Sequence, residues 1–176
     1  MITKAEWKKI RGSLPNPDQI MLSIKGDAAH SMTVRWRTDL TVENGYALYR
    51  KAGTENWEKA DAFIHTIHTD MDDSNLFFAD MTGLEAGCEY EYTCGNDEFR
   101  SDVFKFKTPK ENLDKFSFLC VSDVQAGDAE PPADYSVLNS VLKKILSDHP
   151  ECDFILTAGD NTNCGQTDIQ WTGLFE

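Results

Sequence analysis

The 176-residue chain has no long apolar run, and nothing in it approaches the ~20 consecutive apolar residues of a membrane-spanning helix. The stretch after Met1, "ITKAEWKKI", is amphipathic and short and lacks the apolar centre of a secretory leader. The expected location is therefore the cytoplasm; a leader removed upstream of this sequence would make the protein secreted instead. Positive charge is scarce, with 17 Lys and Arg against 30 Asp and Glu, a formal net charge of −13. Such a balance excludes nucleic acid and anionic membrane surfaces as partners, because phosphate binding is driven by Lys and Arg. The five cysteines (Cys88, Cys94, Cys120, Cys152, Cys164) are odd in number and form no C-x-x-C pair, which argues against a zinc knuckle. Cys120 and Cys152 lie in or beside apolar segments and read as small core residues. Cys88 and Cys94 flank a predicted strand, where a disulfide stays an open alternative. No Walker A loop, G-x-S-x-G elbow, G-x-G-x-x-G turn or EF-hand loop occurs. Asp70, Asp72 and Asp73 accordingly read as an acidic loop.

What is present is an ordinary globular composition, 40% hydrophobic, 27% charged and 11% aromatic. Two regimes meet near "KTPKENLDKF", Lys107 to Phe116. Before it, six short segments with turn residues between them predict strands: Gln19–Ile24, Met32–Thr38, Gly45–Lys51, Asn75–Met81, Tyr90–Gly95 and Val103–Thr108. Spacing of this kind predicts a β-sandwich over residues 1–110. Trp36 falls in mid-strand, where a sandwich needs a large core residue. "LEAGCEYEY", Leu84 to Tyr92, has the form of a tyrosine corner, with Tyr90 tying a loop to its strand. His65 and His68 fall among strands, on opposite faces, which disfavours a shared metal; His30 and His149 read as turn and helix-end residues.

From Lys115 the pattern changes. "KFSFLCVSD" predicts a strand buried on both faces. "DYSVLNSVLKKILSDH" carries Val137, Leu138, Val141, Leu142, Ile145 and Leu146 at helical spacing and stops at Pro150. "CDFILTAGD" predicts a second buried strand, and "TDIQWTGLFE" a further helix capped by Thr167 or Asp168. Strand, helix, strand and helix over residues 115–176 predict a partial α/β domain with parallel strands. Parallel sheets bind ligands beyond the carboxyl ends of their strands. Asp123 and Asp160 both occupy such ends. Two converging carboxylates repel unless a cation lies between them, and Gln125, two residues after Asp123, adds a neutral amide oxygen. Asp123, Gln125 and Asp160 are the candidate metal ligands. Asn161 and Asn163 are candidates for hydrogen bonding around them, and the acidic loop Gly127–Tyr135 would border the mouth of the site.

"FLCVSDVQ", a helix, "DFILTAGDNTN" and Trp171-x-x-x-Phe175 together resemble the calcineurin-like metallophosphoesterases. The preceding "SMTVRWRT" and "TGLEAGCEYEY" are similar to the N-terminal fibronectin III-like domain of purple acid phosphatases. The resemblance implies a fibronectin III/immunoglobulin-like sandwich followed by the start of a catalytic domain. It implies hydrolysis of a small phosphate ester by water activated at two divalent metal ions, with Asp123 binding one metal and Asp160 bridging both. Two departures bear on the metal. Gln125 stands where the family has a histidine, and Asn163 where the purple branch has an iron-ligating tyrosine. A divalent Mn, Fe or Zn pair is therefore expected in place of a ferric centre. The family next needs a G-N-H/D motif and then two further histidine motifs; no G-N-H occurs in the 176 residues, and none of these motifs follows Asp160. The expectation is an incomplete catalytic domain, completed by further polypeptide or by a second chain and inactive alone. The alternative is an interaction protein that uses the sandwich and carries an inert α/β remnant. An aspartyl-phosphate phosphatase with Asp123 as nucleophile is disfavoured, since Gln125 replaces the second aspartate that class requires.

Overall fold

The computed structural model describes residues 2–126 and 133–175. The chain divides into two compact units. One comprises Gly12–His68 and Asp73–Leu113; the other comprises Met1–Arg11, Thr69–Asp72 and Asp114–Glu176.

The first unit is an eight-stranded, wholly antiparallel sandwich. Its strands are β1 (Asp18–Ser23), β2 (Ser31–Thr38), β3 (Tyr46–Lys51), β4 (Glu58–Asp61), β5 (Phe63–His68), β6 (Asp73–Thr82), β7 (Glu89–Gly95) and β8 (Phe104–Lys107). One sheet has the order β1-β2-β6-β5 and the other β4-β3-β7-β8. Each of the six predicted strands is present. Missing from the prediction are β4 and β5, both edge strands. An edge strand has little apolar alternation to read: "EKAD" shows only Ala60 half-buried, and "FIHTIH" buries nothing fully.

The core is built where alternation was clearest. Val34, Trp36, Phe77, Ala79, Met81, Ala47 and Cys94 are completely buried. Trp36 and Phe77 are cross-strand partners, with rings stacked at 5.1 Å. The register is held at one border by Arg37, itself buried, whose guanidinium donates to both oxygens of Asp18 at 2.8 and 2.7 Å.

Tyr90 forms the predicted corner. It is buried, and its hydroxyl accepts a 2.8 Å bond from the Glu85 backbone N–H. Replacing Tyr90 by Phe leaves that N–H unpaired with little change of shape. The expected loss is about 1 kcal/mol in urea unfolding, and an unchanged midpoint would contradict the corner's role.

All five cysteines are free thiols. Cys88 immediately precedes β7 and Cys94 lies near its other end, roughly 20 Å away at ~3.3 Å per residue, far beyond disulfide reach. Burial pushes the Cys94 thiol up to about 12.

The second unit contains α1 (Lys4–Ile10), β9 (Phe118–Val121), α2 (Ser136–Asp148), β10 (Phe154–Thr157) and α3 (Asp168–Leu174). A capping box starts α1: Thr3 Oγ1 accepts from the Glu6 N–H, and a Glu6 carboxylate oxygen accepts from the Thr3 N–H at 2.9 Å. β9 and β10 pair in parallel, with Phe118 opposite Phe154 and Val121 opposite Thr157. The crossover between them carries α2.

Here the sequence expectations need correcting. β9 and β10 were expected to be buried on both faces. Among the described residues each pairs only with the other, and Phe118, Ile155 and Leu156 are exposed. Cys120 is exposed and Cys152 half-buried, so neither is a core residue within this unit. The apolar stripe of α2 is present, yet none of its residues is buried. Thr167 is the cap residue of α3, although its side chain makes no capping bond.

Candidate metal centre at the ends of β9 and β10

The two parallel strands stay stitched together past their ends. The Ala158 N–H donates to the Val121 carbonyl at 2.8 Å, the Asp123 N–H to Gly159 at 3.3 Å, and the Gln125 N–H to Asp160 at 3.1 Å. Asp123, Gln125 and Asp160 are thus brought to one border of the sheet by backbone bonds alone. Both aspartates are exposed. Ser122 Oγ donates to Asp123 Oδ2.

Four described non-glycine residues adopt positive φ, and two of them are Asp123 (φ 55°) and Asp160 (φ 48°). The left-handed region costs an L-residue roughly 1–2 kcal/mol. Strain of this kind concentrates where a side chain must be aimed. Gly159, at φ 108°, completes the turn before Asp160 and has open space around it.

The donor set suits a hard divalent cation, being two carboxylates and neutral amide oxygens. Among the described residues, Gln125 Oε1 and Asn161 Oδ1 are buried acceptors without a hydrogen-bond partner. A buried acceptor left unpaired is costly, and a cation or its water would satisfy it. The set is also small. No group of three or more His, Cys, Asp or Glu able to hold a metal ion occurs among the described residues.

None of the histidines joins this site's unit except His149. It caps α2 on the approach to the amino end of β10, and its Nδ1 lies 3.2 Å from Glu151. His65 and His68 are both exposed on β5, and His68 pairs with Asp73 at 3.0 Å. His30 sits in a turn, its ring nitrogens at 2.8 Å from the Leu84 carbonyl and 3.2 Å from Glu111. Of the acidic loop, Asp72 is buried and Asp70 accepts the Asp168 N–H at 2.8 Å, so both are structural. The Gly127–Tyr135 loop lies largely outside the described residues, which resume at Ala133.

The sequence reading missed Tyr135 and Gln170. Tyr135, buried at the N-cap of α2, donates its hydroxyl to the Asn161 carbonyl at 3.0 Å. Gln170, buried on α3, accepts the Asn163 N–H through Oε1 at 2.6 Å. Neither lies in a motif, and no sequence pattern marks either one.

A β-sandwich of this strand order defines the class of the first unit, and the comparisons with known proteins name its family. Residues 17–108, more than half of the chain, match the family described as "Purple acid Phosphatase, N-terminal domain", and the chain belongs to that family. Among solved structures, the purple acid phosphatase PPD1 from yellow lupin (Lupinus luteus) seeds is similar with a TM-score of 0.71 at 18% identity. That match covers 91% of this chain and 32% of the lupin chain, so this chain spans about a third of the lupin protein's length. Likeness at such identity is one of fold. Astrotactin-2, a vertebrate-specific perforin-like membrane protein, follows at TM-score 0.41, 14% identity, 58% of this chain and 23% of that one. The sensor domain of the anti-sigma factor RsgI4 from Pseudobacteroides cellulosolvens gives 0.35, 17%, 53% and 97%. Neither of these carries weight for function. No curated protein matches the chain.

Proposed function

We propose that this chain contributes part of a binuclear divalent-metal centre for the hydrolysis of small phosphate esters, on a metallophosphoesterase-type α/β framework begun by β9, α2 and β10. The observation that carries this is the backbone stitching that joins Asp123 and Gln125 to Gly159 and Asp160 at the carboxyl ends of two parallel strands. Family membership through the sandwich supports it, as does the lupin likeness, which covers more residues than the sandwich contains.

Asp123 and Asp160 would hold the cations and supply the negative charge that balances them. Gln125 would add a neutral oxygen, and Ser122 fixes one oxygen of Asp123 by hydrogen bonding. Bound metals would supply Lewis-acid activation of water and charge neutralisation on the phosphoryl oxygens. Three donors fall short of two coordination shells. The remaining ligands are proposed to come from polypeptide beyond these residues or from a second chain, so that the 176 residues alone hold metal weakly and turn nothing over. The free thiols support a reducing, cytoplasmic setting.

Calorimetric titration of Mn²⁺ or Zn²⁺ into the 176-residue chain tests the reading. Asp123→Asn and Asp160→Asn are each expected to weaken binding at least tenfold. Equal affinity in all three proteins would overturn the assignment. Metal-dependent turnover of p-nitrophenyl phosphate by the chain alone would overturn its incompleteness.

A further inference from the structure

The loop that follows Asp160 is held from behind by buried groups with no part in the proposed ligand set. Tyr135 is 3% exposed, and its hydroxyl donates to the carbonyl of Asn161, the residue next to Asp160. Burial also pushes the pKa of this phenol up. The ring has a made seat. A Cβ on Gly173 of α3 would lie 3.2 Å from Tyr135 Cδ2 and 2.8 Å from the Ala133 carbonyl oxygen, so only glycine lets α3 approach this closely. Two residues past Asn161, Gln170, 1% exposed and on the same helix, accepts the Asn163 N–H. Both ends of the segment 161–163 are thus pinned from α2 and α3, while the Asn161 side-chain oxygen between them is buried without a partner among the described residues.

We propose that Tyr135, seated on Gly173, is a positioning residue that fixes the Asp160–Asn161 segment, and with it the aim of the Asp160 carboxylate and the Asn161 amide. The inference rests on the metal-site reading for its purpose, but the positioning itself is a separate claim. A phenol is suited to the task. Its donor is rigidly placed by the ring, carries no charge to compete for a cation, and fixes a carbonyl without occupying the ligand side of the chain.

The test is amide hydrogen exchange with Mn²⁺ titration on the 176-residue chain and on Tyr135→Phe, with Tyr49→Phe as control. Tyr49 donates to the Thr82 carbonyl inside the sandwich. In Tyr135→Phe the Gln125 amide, bonded to the Asp160 carbonyl, is expected to exchange about tenfold faster, with amides inside β9 and β10 unchanged. Mn²⁺ affinity is expected to fall about tenfold, as for other groups that orient ligands. Tyr49→Phe should move neither. Gly173→Ala, which keeps the hydroxyl but crowds the ring's seat, should act in the same direction and serves if Tyr135→Phe does not fold. Unchanged exchange at Gln125 in the folded variants overturns the positioning role whatever the metal does. Faster exchange there in a protein that binds no Mn²⁺ upholds the positioning and overturns the metal reading instead. General acceleration throughout β9 and β10 would reduce Tyr135 to a stability residue and also overturn the proposal.

Discussion

Replacing Trp36 by alanine is expected to destabilise the sandwich by about 3–5 kcal/mol, nearer the lower figure. The indole is completely buried and stacked on Phe77 with ring planes 9° apart, and it belongs to the central β2–β6 pairing. Gly45 closes against the same pair: a Cβ there would sit 2.9 Å from Trp36 Cζ2 and 3.0 Å from Phe77 Cδ1. A site enclosed this tightly by backbone collapses poorly when emptied, so the cavity persists and its cost is felt. The lower figure follows from the indole N–H, which has no hydrogen-bond partner among the described residues. Deleting it removes an unpaired donor that itself costs ~1–3 kcal/mol. Urea unfolding followed by far-ultraviolet circular dichroism reads the change, and Trp36→Phe should recover more than half of it. A loss below about 1 kcal/mol would mean the core is not organised around this residue.

Gly95→Ala is expected to cost about 4 kcal/mol, more than alanine at a glycine with open space around it. Gly95 ends β7 at φ +133°, pairs with Tyr46 and bridges to Arg100. An added Cβ would fall 2.1 Å from the Phe99 carbonyl oxygen and 3.0 Å from Arg100 Cα, and backbone atoms cannot rotate away. The turn that brings Phe99 there is fixed by the Asn96 N–H donating to the Phe99 carbonyl at 2.8 Å. The Asn96 side chain in turn accepts from the Phe99 N–H at 2.7 Å. Alanine must open that turn or break the pairing with β3. Gly53 supplies the contrast. It is also at positive φ, yet nothing lies within 4 Å of its Cβ position, so Gly53→Ala should cost only the roughly 1–2 kcal/mol of backbone strain. Equal losses at the two sites would contradict the steric account.

These two residues mark what the sequence could reveal. Trp36 was legible because a half-buried strand alternates, and because a sandwich needs a large residue at mid-strand. Tyr90 was legible because its corner is local, with donor and acceptor five residues apart. Gly95 was not legible, since the clash depends on how the chain returns through Phe99. β4 and β5 escaped because edge strands lack an inward face rich enough to read. Asp123 and Asp160 could be singled out as acids closing apolar strands. Their left-handed backbone and the bonds that stitch their loops are consequences of parallel pairing that no spacing encodes. Tyr135 and Gln170 went unseen for the same reason: their partners are set by α2 and α3 packing behind the loop, and each contact joins residues that share no periodic pattern. The burial of β9 and β10 was overestimated because an apolar strand reports the capacity to be covered, while coverage itself depends on neighbours that are not encoded in the strand.

The central claim is that Asp123, Gln125 and Asp160 share a divalent cation at one sheet border, and Mn²⁺ paramagnetic broadening in two-dimensional amide NMR tests it most directly. At substoichiometric Mn²⁺ the amides of Ser122, Asp123, Gln125, Gly159, Asp160 and Asn161 should broaden first. Broadening spread over the chain's 30 acidic residues, with those six no more affected than the rest, would contradict it.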